Sequence, residues 1–131
     1  LLREYDFTII TKGDLSETDT LKVLEGYENL MTGAGGEILK KDVWGMRKLS
    51  YPIKKVFRGH YVNYDFVGTP ENVAEMERLM RIDDSVLRHL VIRLDESSTG
   101  TVDVPARKAE LARLEKEARE AEAKRRKEMP N

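Results

Sequence analysis

The stretch Gly45-Met46-Arg47-Lys48-Leu49-Ser50-Tyr51-Pro52-Ile53-Lys54-Lys55 reads half as a β-strand and half as a charged loop, with a proline between. A proline followed closely by two lysines belongs at a sheet edge or in a connecting loop, because it has no N–H for a central ladder. The stretch therefore predicts a hairpin. One extended run covers Glu37 to Leu49, Ser50-Tyr51-Pro52 connects, and a return run covers about Phe57 to Val67. No acidic residue occurs from Val43 to Tyr64, a window that carries Arg47, Lys48, Lys54, Lys55 and Arg58.

Outward from the hairpin the pattern is regular. Upstream, Tyr5 to Thr11 alternates and is rich in β-formers, so it predicts a first strand. Lys12-Gly13-Asp14 turns the chain, and Ser16 offers an N-cap with Asp19 three residues on. Val23, Leu24, Tyr27, Leu30 and Met31 then recur at helical spacing until Gly33, which marks a core-facing stripe. Downstream, Thr69-Pro70-Glu71 is a helix start, with Val73, Met76, Leu79 and Met80 on its apolar side. Val86 to Leu94 is a fourth strand. The order β-α-β-β-α-β predicts an α+β, ferredoxin-like split motif: two helices on one face of a four-stranded antiparallel sheet. The other face is left open for a partner or a polar surface.

Beyond this domain, residues 1–95, the character changes. Glu96-Ser97-Ser98-Thr99-Gly100-Thr101 opens a turn-rich linker over 96–105, and 106–131 is a charged extension of Ala, Glu, Lys, Arg and Leu. Only Leu111 and Leu114 are large and apolar before Met129, so the extension is expected to be partly helical and to order on something else. Glu115 with Arg119, Glu120 with Lys124 and Glu122 with Arg126 are i,i+4 pairs, each adding about 0.2–0.5 kcal/mol. Lys124-Arg125-Arg126-Lys127 is a cationic run able to lie along phosphates.

At 131 residues, with 40% apolar and 36% charged residues, the chain has room for one core and a heavily charged surface. The net charge of −1 hides a split: 14 Lys/Arg against 18 Asp/Glu up to Ala106, then 9 against 6. Positive potential is local, and local potential steers a polyanion. The absence of cysteine excludes disulfides and thiolate chemistry and fits a reducing compartment. No apolar run approaches a membrane span, and no signal-peptide pattern opens the chain.

No catalytic constellation is legible. His60 and His89 fall on different strands without a carboxylate cluster, so no metal site is expected. Asp83-Asp84 reads as a turn or cap pair, and the glycines form no phosphate-binding loop. Non-enzyme, with no cofactor and no small-molecule substrate, is the reading. Binding is different, because the hairpin interleaves its five cations with Trp44, Tyr51, Phe57 and Tyr61. Solvated hairpin and nucleic-acid contact both fit that mixture. Clearing every carboxylate from 22 residues of an acidic domain favours nucleic acid, since a solvated surface tolerates acid and a phosphate-binding one does not.

The residues also resemble a known family, over about Arg3 to Arg93. Arg3-x-Tyr5, Gly35-Gly36, the run from Trp44 to Lys55, Gly59-His60-Tyr61-Val62 and Leu87 to Val91 are similar to the S-six family of bacterial small-subunit ribosomal proteins. Lys54 departs from the small or polar residue expected after Ile53, and Asn63 is smaller than the aromatic of some relatives. The resemblance implies a ferredoxin-like protein that pairs with ribosomal protein S-eighteen and binds the central domain of small-subunit ribosomal RNA during platform assembly. It implies a ribosomal location, in the cytoplasm or an organelle. Arg47, Lys48, Lys54, Lys55, Arg58, Arg3 and Arg88 are the expected RNA contacts; Trp44, Tyr51 and Tyr61 are the expected partner contacts. A single-strand binder of the RNA-recognition-motif type shares the element order, but Arg58 to Tyr64 is one residue short of its third-strand pattern, which misplaces the stacking ring. A small-molecule regulatory module gives no reason for the basic hairpin.

Overall fold

The computed structural model describes residues 1–94 and 102–128. The elements run β1 (Arg3–Lys12), α1 (Glu17–Met31), a short 3-10 turn (Gly33–Gly35), β2 (Glu37–Ile53), β3 (Val56–Gly68), α2 (Pro70–Ile82), β4 (Val86–Arg93) and α3 (Val104–Glu128). All strand pairs are antiparallel, in the order β2-β3-β1-β4. This is the ferredoxin-like arrangement expected from the sequence, with a C-terminal helix added. The linker stretch Glu96–Thr101 lies outside the described residues.

Strand alternation sorts the side chains. Tyr5, Phe7 and Ile9 of β1 and Val62, Tyr64 and Phe66 of β3 face α1 and α2, where they meet Leu24, Tyr27, Met31, Val73, Met76 and Met80. Phe7 stacks on Tyr64 at 5.6 Å and Tyr5 on Phe66 at 5.4 Å. Burying each such side chain stabilises by about 1.5–3 kcal/mol, so this face holds the domain together. Both helix starts are capped as read. Ser16 Oγ accepts from the Asp19 N–H at 3.1 Å, and Thr69 Oγ1 from the Asn72 N–H at 3.2 Å. Asp83 closes the other end of α2, accepting from the Tyr27 hydroxyl at 2.7 Å and the Ser85 N–H at 2.9 Å; burial and that carboxylate push the Tyr27 hydroxyl's pKa up.

Two boundaries differ from the sequence reading. β2 does not end at Leu49 but continues through Pro52 to Ile53, and the turn falls at Lys54-Lys55. Pro52 is tolerated there because β2 is an edge strand, where a missing N–H breaks no inner ladder. α3 begins at Val104, inside the stretch read as linker. Its start is also tied to the chain's own sheet: the Val102 N–H donates to Leu2 O at 3.0 Å, and Arg107 Nε donates to Glu4 Oε1 at 2.6 Å. Lys108 pairs with Glu37, and Lys40 with Glu115 at 3.6 Å. Val67, in register with both Glu4 and Glu37 on the face away from the main core, is fully buried at this end of the sheet. The second sheet face is open over most of its length and closed here.

Candidate nucleic-acid interface

The β2–β3 hairpin owes its shape to a bulge, a close approach and a tight turn. Pairing shifts register between Val43 and Gly45, and Gly45 takes φ 86, a left-handed conformation that glycine adopts without steric cost. The bulge brings Trp44 over Tyr61 on the open face, with ring centroids 6.4 Å apart and planes 22° from parallel. At Gly59, a Cβ would lie 2.5 Å from Ile10 Cγ2 and 3.4 Å from Leu49 Cδ2. Only a residue without Cβ lets the hairpin close down on the sheet here. Leu49 is buried as a result, and the outer part of the hairpin reaches β4.

At the tip, Ile53 pairs with Val56, which makes Lys54 and Lys55 the two central residues of the turn. Both have positive φ, 51 and 64. That is the geometry of a type I′ turn, a position usually held by Asn-Gly. A side-chain-bearing residue in the left-handed region costs roughly 1–2 kcal/mol, so the local backbone preference disfavours lysine at both places. Strain of this kind concentrates at functional sites.

The cations surround the hairpin rather than line one side. Arg47 pairs with Gly59 and lies over the Trp44 ring at 5.9 Å, on the open face. Lys48 and Arg58 pair with each other, which alternation places on the opposite face. Lys54 Nζ donates to Val86 O at 3.2 Å, bracing the tip against β4, while Lys55 is exposed. Arg88 lies 5.0 Å from the centre of the Tyr51 ring and donates to its hydroxyl. Thus six of the seven cations expected at the interface, and all three aromatics, gather at one end of the molecule. Arg3 does not. It pairs with Gly68 at the far end of β1, about 30 Å from the Lys12–Gly59 pair at ~3.3 Å per residue.

The open face is polar in the electrical sense. Towards α3 it carries Glu4, Asp6 and Asp65, and towards the hairpin it carries Arg47 and Arg88. Burial, then hydrogen bonding to Glu4 and its charge, push Asp65 up to about 7, against the opposing pull of Arg107. Asn63 holds the middle, donating to Asp6 Oδ1 at 2.8 Å and Thr8 Oγ1 at 2.9 Å. An amide suits this position because it satisfies two neighbours in the sheet at once. Leu90 and Ile92 of β4 stand exposed beside this row. Acid at Glu4 and Asp6 of β1 and Asp65 of β3 makes this part of the sheet a poor platform for stacking bases, which disfavours single-strand binding across it.

A sequence profile described as ribosomal protein S6 matches residues 4–93, the whole sheet and both packed helices. The chain belongs to the ribosomal protein S6 family. It is 42% identical over 95 residues to small ribosomal subunit protein bS6 of Caldanaerobacter subterraneus, covering 72% of this chain and 100% of that one. The bS6 of Desulfatibacillum aliphaticivorans is 39% identical over 112 residues, 86% of this chain and 58% of its own length. The crystal structure of 30S ribosomal protein S6 from Thermotoga maritima superposes with a TM-score of 0.65 at 24% identity. It covers 93% of this chain and 99% of that one, and the likeness shows the shared fold. Membership of the S6 family makes the chain a structural protein of the ribosome rather than an enzyme. No described helix is long and apolar enough to cross a membrane.

The sequence missed the contacts that the fold makes between distant segments. Arg88 and Tyr51 were each legible as surface residues but not as a touching pair, 37 positions apart. Arg107 and Glu4 are separated by 103 positions, and no local pattern connects them.

Proposed function

We propose that the chain binds the central domain of small-subunit ribosomal RNA together with ribosomal protein S-eighteen, and helps assemble the subunit's platform. One observation carries this reading. The acid-free hairpin presents exposed Arg47, Lys48, Lys54, Lys55 and Arg58 around its tip, on a domain that is otherwise acidic. Cations on both faces and in the turn suit phosphates, which lie on all sides of a folded RNA, better than base edges in one groove. Arg88 joins them from β4, and Arg3 serves as a separate contact at the other end of β1.

The partner surface is the open face beside the hairpin. Trp44, Tyr61 and Tyr51 lie there with exposed Leu90 and Ile92, a mixture of aromatic and aliphatic anchors of the kind that carries binding energy between proteins. Acid along β1 opposes RNA on this face and leaves it to a protein. Residence is on the ribosome, in the cytoplasm or an organelle.

The test is RNA binding at physiological salt by the chain alone and with S-eighteen. The isolated chain should bind weakly, because its acidic body repels a polyanion, and S-eighteen should tighten binding. Equally tight binding without a partner would falsify the division of labour. Charge reversal at Lys54 and Lys55 should weaken binding to all RNA sequences alike; a loss confined to one sequence means base readout.

A further inference from the structure

α3 is not uniformly charged around its circumference. At about 100° per residue, Ala112, Lys116, Arg119, Ala123, Arg126 and Lys127 share one face within about 50° of its centre. No acidic residue comes within about 60° of that centre. The nearest, Glu115 and Glu120, flank it, and Glu110, Glu117 and Glu128 gather on the far side of the helix. The contacts with the sheet come from Arg107 and Lys108, in the helix before the face begins at Ala112, and from Glu115 at the border of the face. The acid-free face is exposed along its length, and its Arg119 and Arg126 pair with acids outside it, Glu115 at 3.7 Å and Glu122 at 2.9 Å.

We propose that this face of α3 is a second RNA-backbone contact, separate from the hairpin, held in a fixed direction by the docked start of the helix. The occupant follows from the chemistry of the face. Its four cations are offset by alanines, which let the helix approach a sugar-phosphate backbone closely while the long side chains reach phosphates on either side. A protein partner needs a buried aromatic or aliphatic anchor, and the face has none. A membrane surface needs an apolar side to bury, and alanine supplies too little. From Ala112 to Lys127 the face is about 22 Å long at 1.5 Å per residue, enough to follow several phosphates. The site also lies apart from the hairpin tip, since α3 docks beside Glu37 and Lys40, at the opposite end of β2 from Lys54 and Lys55. The two contacts would thus grip the RNA at separate places, with the acidic body between them.

This inference rests on the RNA-binding reading above, so its test uses full-length variants that separate the two. Lys116→Gln, Arg119→Gln and Lys127→Gln together remove three charges from the face. Arg113→Gln, Lys124→Gln and Arg125→Gln together remove the same charge from the rest of the helix. Binding to a small-subunit ribosomal RNA transcript is measured over a salt series starting at low salt. The face variant should lose affinity and reduce the slope of log K against log salt by about 2–3, with the control changing by less than about 1. Equal losses in both variants, or no loss in either, overturn the proposal. Unchanged RNA affinity with lost incorporation into subunits assigns the face to a protein and overturns it too. Lys54→Glu with Lys55→Glu in the same series keeps the readings apart: full binding by that variant counts against the hairpin and leaves the helix to be decided by its own pair.

Discussion

Arg107 Nε donates to Glu4 Oε1 at 2.6 Å, joining the start of the C-terminal helix to the first strand across 103 positions of sequence. The Glu4 side chain is only 5% exposed, so water screens this ion pair little. Arg107→Met should cost about 1–3 kcal/mol by leaving a buried carboxylate without its partner. Amide exchange localises the effect. In the unaltered protein the start of α3 should be protected and its second half fast, because no α3 residue is buried. In the variant the start should exchange as fast as the rest. Unchanged protection would mean that the ion pair does not hold the helix.

The same cluster makes stability depend on pH. Asp65 faces Glu4 and Asp6 on β1, Arg107 on α3 and Lys40 on β2, and its pKa is raised from 3.8 to about 7. A carboxyl whose pKa is raised on folding holds its proton more tightly in the native state. Its protonated form therefore favours the fold below pH ~4, and the benefit is lost as pH rises toward 7. Asp65→Asn should raise Tm at pH 8 by a few degrees and flatten the decline between pH 4.5 and 8. A curve parallel to that of the parent protein would place the titration elsewhere.

At the hairpin tip, backbone preference and charge oppose each other. Lys54→Asn with Lys55→Gly supplies the residues that the left-handed turn favours, and should stabilise the chain by about 1–2 kcal/mol. The same change removes two cations and should lower the salt dependence of RNA binding by about 2. Thermal melts and salt titrations on one preparation would show the two effects moving in opposite directions. Retained affinity would show that the two lysines do not contact the RNA.

Gly59 tests whether the closed-down hairpin matters. Gly59→Ala puts a methyl 2.5 Å from Ile10 Cγ2, which must shift, at a cost of about 1–3 kcal/mol. The displaced hairpin should lose the Arg88–Tyr51 contact, readable as a change in tyrosine fluorescence, and RNA affinity should fall although no charge is altered. A destabilised variant with full affinity would disconnect the hairpin's closure from binding.

What was legible in the sequence was local. The alternation of Tyr5 to Thr11, the cap at Ser16 and the Thr69-Pro70 start are patterns within a few residues, and each element formed where those patterns placed it. The turn lies a few residues beyond Ser50-Tyr51-Pro52, because Pro52 has the local pattern of a break without acting as one. An edge position removes that penalty, and only the sheet order reveals the edge. The docking of α3 was illegible for another reason: it rests on ion pairs between distant segments, not on an apolar stripe. The hairpin's clearance of acid was visible at once; the close approach at Gly59 that shapes it was not.

The most direct measurement is sedimentation with small ribosomal subunits on a sucrose gradient, for the parent chain and for Lys54→Glu with Lys55→Glu, both shown to be folded by their melting curves. The parent should travel with the subunit, and the variant should remain at the top of the gradient. A variant that travels with the subunit as fully as its parent would contradict the claim that the acid-free hairpin holds this protein on ribosomal RNA.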